Sequence, residues 1–144
     1  MISMRVVLRV IQILMTVRVT YAVGLFYAML FSRFGWSELA PDGSFIGEIV
    51  HNMDWQNFLT WFVYVHAYAL ATFLVWRGHV LSIWIYTGAY AVDLASWVWI
   101  ALSPTYSIAL NGKAPLIDGV FNVFDLLIIA MLGFLRLRGQ LGGR

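Results

Sequence analysis

Four ionisable residues lie inside stretches of sequence that are otherwise apolar: Arg18, His66, Asp93 and Asp125. A charged side chain in the centre of a bilayer costs roughly 2.5 kcal/mol or more on insertion scales, so such positions usually have a structural or functional reason. With a rise of about 1.5 Å per helical residue, His66 and the two aspartates are expected at similar depth. The long side chain of Arg18 can extend towards that level. The sequence therefore predicts an intramembrane polar cluster of these four residues.

Neighbouring positions add further polar groups to this predicted cluster. Tyr86 and Tyr90 share a helix face with Asp93, and their phenol groups can donate hydrogen bonds to a carboxylate. Asn122 shares a face with Asp125 in the same way. Both a buried seam between helices and a hydrated pathway require such polar faces, so the pattern leaves the two alternatives open.

Two interpretations of the cluster follow. In a proton or ion relay, Asp93 and Asp125 titrate, His66 shuttles protons near neutral pH, and Arg18 tunes the proton affinity of the carboxylates. In a structural role, Arg18 pairs with one aspartate, and His66 bonds to a backbone carbonyl or a tyrosine hydroxyl. The structural role is the preferred interpretation, and no catalytic or metal-binding residue is predicted.

His66 also lies on an aromatic face of its predicted helix, with Trp55, Leu59, Phe62 and Phe73. A neutral imidazole in an apolar helix can ligate haem iron or the magnesium of a chlorophyll. In this respect the segment resembles bacterial antenna polypeptides, which place a pigment-binding histidine in an apolar span. It departs from them at Phe62, where they often have a small residue. The cofactor is therefore unknown, with pigment or haem ligation by His66 as a minor alternative.

The composition limits the class of protein. Of 144 residues, 62% are hydrophobic and 11% charged, which is more apolar surface than a soluble domain of this length can bury. The absence of cysteine excludes disulfides and thiolate-bound metals. The basic residues do not form a nucleic-acid-binding patch, so no nucleic acid is expected as a partner. Common hydrolase, zinc-protease and phosphate-binding motifs are absent, which argues against an enzyme and leaves only a loop site at Asp42, Glu48, His51 and Asp54 as an alternative.

The hydrophobic pattern predicts an all-α polytopic membrane protein, an antiparallel bundle of four transmembrane helices in a single domain, 1–144. The spans are expected at about 10–32, 55–76, 79–102 and 116–135, with extramembrane loops at 33–54 and 103–115. The first apolar run continues to Phe31 and is interrupted by Arg18, so we expect it to be retained as a signal anchor rather than cleaved.

Arginines near the chain ends predict the orientation. Arg5 and Arg9 precede the first span, and Arg136 and Arg138 follow the last one. Because cytoplasmic flanks of spans are enriched in Lys and Arg, both termini are predicted to be cytoplasmic, in a bacterial inner membrane.

The leading functional hypothesis is a small non-enzymatic accessory or structural subunit. It would pack against the lipid bilayer, partner membrane proteins or a hydrophobic cofactor, and a homo-oligomer is a further possibility. The alternative is a small oligomeric proton- or ion-coupled carrier or channel that uses His66, Asp93 and Asp125.

Overall fold

A computed structural model describes residues 3–36, 51, 53–102 and 114–142, and four helices lie within them. They are α1 (Met4–Arg33), α2 (Trp55–Trp76), α3 (Leu81–Ala101) and α4 (Ala114–Leu137). The first helix begins at Met4 rather than near residue 10, because Arg5 and Arg9 are good helix formers that extend it beyond the apolar run. Most of the two predicted loops, including Asp42 and Glu48, lies outside the described residues.

Three of the helical segments are long and apolar enough to cross a membrane: Met4–Arg33, Trp55–Trp76 and Gly119–Leu137. The remaining helix, α3, has 21 residues and contains Asp93 together with several Trp and Tyr residues. The fold is therefore all-helical, with three helices that meet the requirements of a span by length and composition.

Local sequence signals define the helix ends. Asp54 caps α2, because its side chain accepts a hydrogen bond from the Asn57 backbone N–H at 2.7 Å. Gly78 follows α2 with a φ of 67°, and Gly139 follows α4 with a φ of 66°. Glycine adopts this left-handed conformation without steric cost, which lets the chain turn away from a helix. The Gly142 N–H bonds to the Gly78 carbonyl at 3.0 Å, so the segment after α4 lies against the turn between α2 and α3.

Both ends of α1 contact α2. Near the beginning of α1, Gln12 Nε2 donates to the Val75 carbonyl at 3.3 Å, close to the end of α2. At the other end, Arg33 donates to the Met53 carbonyl just before α2 begins. The α2 helix packs most extensively against α3, and α4 contacts both α1 and α3. Each helix therefore packs along two others.

The interior and the outer surface of the protein are both mainly apolar. The largest fully buried side chains come from all four helices: Ile11, Met15, Phe26, Val65, Tyr68, Val75, Tyr86, Asp125, Ile128, Leu132 and Leu135. Large apolar side chains also remain exposed on every helix, among them Val17, Leu59, Trp84 and Leu127. An apolar exterior of this extent suits a helix bundle that has lipid as its solvent.

Candidate functional site

Arg18 of α1 and Asp125 of α4 form a two-point ion pair. Arg18 Nε donates to Asp125 Oδ1 at 3.2 Å, and Arg18 Nη2 donates to Asp125 Oδ2 at 3.0 Å. Such a fork-to-fork contact fixes the planes of both groups. The side chains are only 10% and 2% exposed, respectively. The pair therefore lies in the interior, where either charge alone would be costly to hold.

Asp93 of α3 is the second carboxylate beside Arg18. Its Oδ2 atom lies 3.6 Å from Arg18 Nη2 and accepts a hydrogen bond from the Tyr68 hydroxyl at 3.2 Å. The separation of 3.6 Å is an ion-pair distance but too long for a good hydrogen bond. Arg18 therefore interacts with both carboxylates, but it is hydrogen-bonded only to Asp125.

Tyrosine hydroxyls donate hydrogen bonds to both carboxylates. The Tyr86 hydroxyl donates to Asp125 Oδ1 at 2.6 Å. The rings of Tyr68 and Tyr86 are both fully buried and meet edge to face, with centroids 4.8 Å apart. Buried carboxylates are stable only when such donors satisfy their oxygens. We call Arg18, Tyr68, Tyr86, Asp93 and Asp125 the polar cluster; every one of the four helices contributes to it.

Aromatic rings cover the guanidinium group of Arg18. Its central carbon lies 4.9 Å from the centroid of the Phe121 ring and 5.4 Å from that of Tyr68. Phe121 in turn stacks on Tyr21, with ring centroids 5.4 Å apart. These contacts stabilise the cation through the faces of the rings, while its edge binds the carboxylates.

The formal charges of the polar cluster do not balance. One arginine faces two aspartates, Asp93 and Asp125, so the cluster has a formal charge of −1 when both carboxylates are ionised. A net charge in an apolar interior is unfavourable, and one proton on either carboxyl group would cancel it.

His66 lies outside the polar cluster, in contrast to the sequence-based arrangement. Its Nδ1 atom is 2.7 Å from the Phe62 carbonyl, and its Nε2 atom is 3.1 Å from the Tyr27 hydroxyl. A carbonyl can only accept, so Nδ1 carries a proton and donates to Phe62, while Nε2 pairs with the Tyr27 hydroxyl. A haem or chlorophyll would have to displace Tyr27 to reach Nε2.

The structure also describes the other two predicted residues, Tyr90 and Asn122. Tyr90 is half-buried and packs against the apolar core. Asn122 is half-buried on α4, three residues before Asp125. The predicted aromatic face of α2 points outward, with its four apolar members between 43% and 61% exposed: Trp55, Leu59, Phe62 and Phe73.

Sequence reasoning missed three contributing aromatic residues, namely Tyr27, Tyr68 and Phe121. A signal for Tyr68 was present, because Tyr64, Tyr68 and Thr72 recur every four residues and form a polar stripe on an otherwise apolar helix. All three residues of that stripe are buried. For Tyr27 and Phe121 the sequence offers no comparable pattern.

The loop groups considered for enzyme chemistry are only partly described. His51 is exposed, and Asp54 serves as the N-cap of α2. Among the described residues, no group of three or more His, Cys, Asp or Glu side chains is placed to hold a metal ion. No protein-family model matches the chain, and neither a curated protein nor a solved structure is significantly similar to it.

Proposed function

We propose that this protein is a non-enzymatic accessory or structural subunit of a membrane, with its interior polar groups used to join its own helices. The polar cluster is the observation that carries this proposal. Arg18 is bound at two points by Asp125, and Tyr68 and Tyr86 each donate to a carboxylate. Polar groups whose hydrogen bonds are made across helices hold those helices together.

The proposal includes a membrane arrangement of four antiparallel spans. The turn at 77–80 is short, so if α2 crosses the membrane, α3 must return across it. Asp93 and Tyr86 of α3 point into the polar cluster, which supports this position for α3. Arg5, Arg77 and Arg136 lie at one end of the molecule. Because the cytoplasmic ends of spans are enriched in Lys and Arg, we place both termini on the cytoplasmic side, in a bacterial inner membrane.

The outer face of α2 is the surface that we assign to a neighbouring membrane chain or to a second copy. Trp55, Leu59 and Phe73 are between 53% and 61% exposed there. An open groove of about 520 Å³ adjoins this face, lined by Gln56, Leu59, Thr60, Val63 and Val92. Thr60 donates to the Gln56 carbonyl of its own helix at 2.9 Å, but the Gln56 amide can hydrogen-bond to a partner helix, which favours a protein over lipid at this place.

A second candidate function is a small oligomeric proton- or ion-coupled carrier. The observation that favours it is the formal charge of −1 in the polar cluster, which a purely structural pair does not require. Asp93 would be the exchanging group, since Asp125 is bound at two points by Arg18. His66 takes no part in this version, because it bonds to Tyr27 and Phe62 instead.

Gentle detergent extraction from the native membrane tests the two candidates. Size analysis, mass spectrometry of co-migrating chains and an absorption spectrum would be recorded on the extracted protein. The accessory role predicts stoichiometric partner chains, and a pigment band would identify a coloured partner system. A colourless homo-oligomer with proton flux in liposomes, lost in the well-folded variant Asp93→Asn and kept in Tyr90→Phe, would instead establish the carrier.

A further inference from the structure

One end of the molecule is rich in exposed arginine. We call this set the arginine end: Arg5, Arg9, Arg77, Arg136 and Arg138. The seven acidic residues of the chain lie elsewhere in the sequence, at 38, 42, 48, 54, 93, 118 and 125. Within the described residues, these arginines therefore have no Asp or Glu side chain next to them in the sequence.

Contacts between the helices bring these arginines to the same end. Arg9 lies over Trp76 at the end of α2, and Arg77 follows directly after it. Arg136 of α4 lies over Trp84 near the beginning of α3. The arginine end is thus formed by parts of all four helices.

Four of the five guanidinium groups share one geometry. Each lies over an aromatic ring, 5.2–5.5 Å from its centroid: Arg9 over Trp76, Arg77 over Phe73, Arg136 over Trp84 and Arg138 over Phe134. The four rings are themselves between 42% and 59% exposed. Arg9 already donates to Gln12 Oε1 through Nη1 at 3.2 Å. For Arg77, Arg136 and Arg138, the contact with the ring uses the face of the guanidinium group and keeps its N–H edge available for an oxygen acceptor.

This combination matches one chemical class of partner. Arginine binds phosphate oxygens at two points, and aromatic rings at span ends lie at the level of lipid headgroups. A soluble anion would satisfy the arginines but leave the exposed rings in water. A phospholipid satisfies both, because its acyl chains cover the rings while its phosphate meets the guanidinium edges. Basic sites between helices at a membrane surface bind anionic headgroups for this reason.

We propose that the arginine end binds the headgroups of anionic phospholipids, with the Arg77–Phe73 and Arg136–Trp84 pairs as the principal contacts. The ligand class is a lipid with a net negative headgroup, such as phosphatidylglycerol, in preference to a zwitterionic one. This inference does not use the polar cluster. It shares only Phe73 with the outer face of α2, and its second contact, Arg136–Trp84, is formed by α4 and α3, so it does not depend on the proposed subunit role.

Arg33, at the other end of α1, provides a matched control. It also lies over aromatic rings, 4.3 Å from the centroid of Trp55 and 5.2 Å from that of Phe58. However, it donates to the Met53 carbonyl, and Asp54 follows next in the chain. Its N–H edge is therefore used within the protein, and Arg33→Gln removes one charge without removing the proposed lipid contact.

Lipid retention by the purified full-length protein tests the proposal. Native mass spectrometry in mild detergent would count bound phosphatidylglycerol and phosphatidylcholine, each added at the same concentration. We expect wild type to prefer phosphatidylglycerol, and Arg77→Gln and Arg136→Gln each to lower that preference about fivefold. Arg33→Gln should leave it unchanged. Equal binding of both lipids, or an equal loss in Arg33→Gln, would overturn the proposal.

Two measurements on wild type and one further variant keep the test decisive if a glutamine variant does not fold. Raising the salt concentration on wild type should reduce phosphatidylglycerol retention and leave phosphatidylcholine unaffected; retention insensitive to salt would contradict the proposal. Adding inorganic phosphate should not replace the lipid, and full displacement at the same concentration would show a simple anion site instead. Arg136→Lys, which keeps the charge but not the planar fork, should lose part of the preference.

Discussion

The polar cluster and the His66 site hold ionisable side chains in different ways. In the polar cluster, Arg18 and Asp125 are buried and bonded to each other across two helices. At the other site, His66 is half-buried, and one of its bonds goes to Phe62 on its own helix. Depth along the helix axis is thus not sufficient to bring polar groups together, because the angle around the axis decides which neighbour each one meets.

The contrast also indicates what each site can contribute to stability. Removing one partner of a buried pair leaves an uncompensated charge in the interior. Removing a hydrogen bond at a half-exposed position loses far less, since interhelical hydrogen bonds in membranes average about 0.6 kcal/mol. Five single substitutions test this difference. They are given from the largest expected effect to the smallest, except that Asp93→Asn stands beside Asp125→Asn for comparison.

Arg18→Met should have the largest effect. It leaves Asp93 and Asp125 together in the interior without a cation, so we expect a loss of about 5 kcal/mol in the free energy of unfolding, or no folded protein. Reversible unfolding in mixed micelles measures this loss. The control Arg5→Met removes an exposed arginine and should change stability by less than about 0.5 kcal/mol.

A combined variant separates lost pairing from lost packing. Arg18→Met with Asp93→Asn and Asp125→Asn removes all three charges at once and keeps an oxygen acceptor for the hydroxyls of Tyr68 and Tyr86. Stability should therefore recover relative to Arg18→Met alone. If the triple variant is less stable than the single one, the uncompensated carboxylates are not the cause of the loss.

The sequence predicted part of this arrangement. Apolar runs and turn residues predicted four helical segments, and α2 occupies 55–76 as expected. Arg18, Asp93 and Asp125 were recognised because charge in an apolar run is conspicuous. His66 was grouped with them because only depth could be compared. Tyr68, two residues further along the helix and about 200° around it, is the α2 residue that reaches the cluster.

The reason for this failure is physical. A helix that is apolar on all sides has no preferred face in its sequence, so neither burial nor partner can be assigned to one stripe. On α2, Phe62 and Phe73 were grouped as an aromatic surface, and they are exposed. The buried stripe of Tyr64, Tyr68 and Thr72 differs from them by its hydroxyl groups.

The two aspartates should differ in their importance. Asp125→Asn loses the two-point contact with Arg18, and we expect a loss of about 3 kcal/mol, moderated because Asp93 remains 3.6 Å from the guanidinium. Asp93→Asn should cost less than about 1 kcal/mol, since it leaves Arg18 and Asp125 as a balanced pair. Unfolding of both variants at the same pH makes the comparison, and an equal or reversed order would contradict the geometry.

Tyr86→Phe tests the donor to Asp125. The hydroxyl lies 2.6 Å from Oδ1, and a hydrogen bond to a charged group contributes about 1.5 kcal/mol or more. We expect a loss of about that size in the free energy of unfolding. Tyr90→Phe is the matched control, because Tyr90 is on the same helix but half-buried against the apolar core. A larger effect at Tyr90 would show that the phenol contacts were assigned to the wrong residue.

Tyr27→Phe should have the smallest effect and tests whether the two sites are separate. It removes the hydroxyl group that hydrogen-bonds to His66 Nε2 at a half-buried position, so we expect a loss of about 0.6 kcal/mol or less. Mutations at sites without shared partners add within about 0.5 kcal/mol. The double variant Tyr27→Phe with Asp125→Asn should therefore lose the sum of the two single losses. A coupling clearly above that limit would mean that His66 and the polar cluster act together, as the relay interpretation requires.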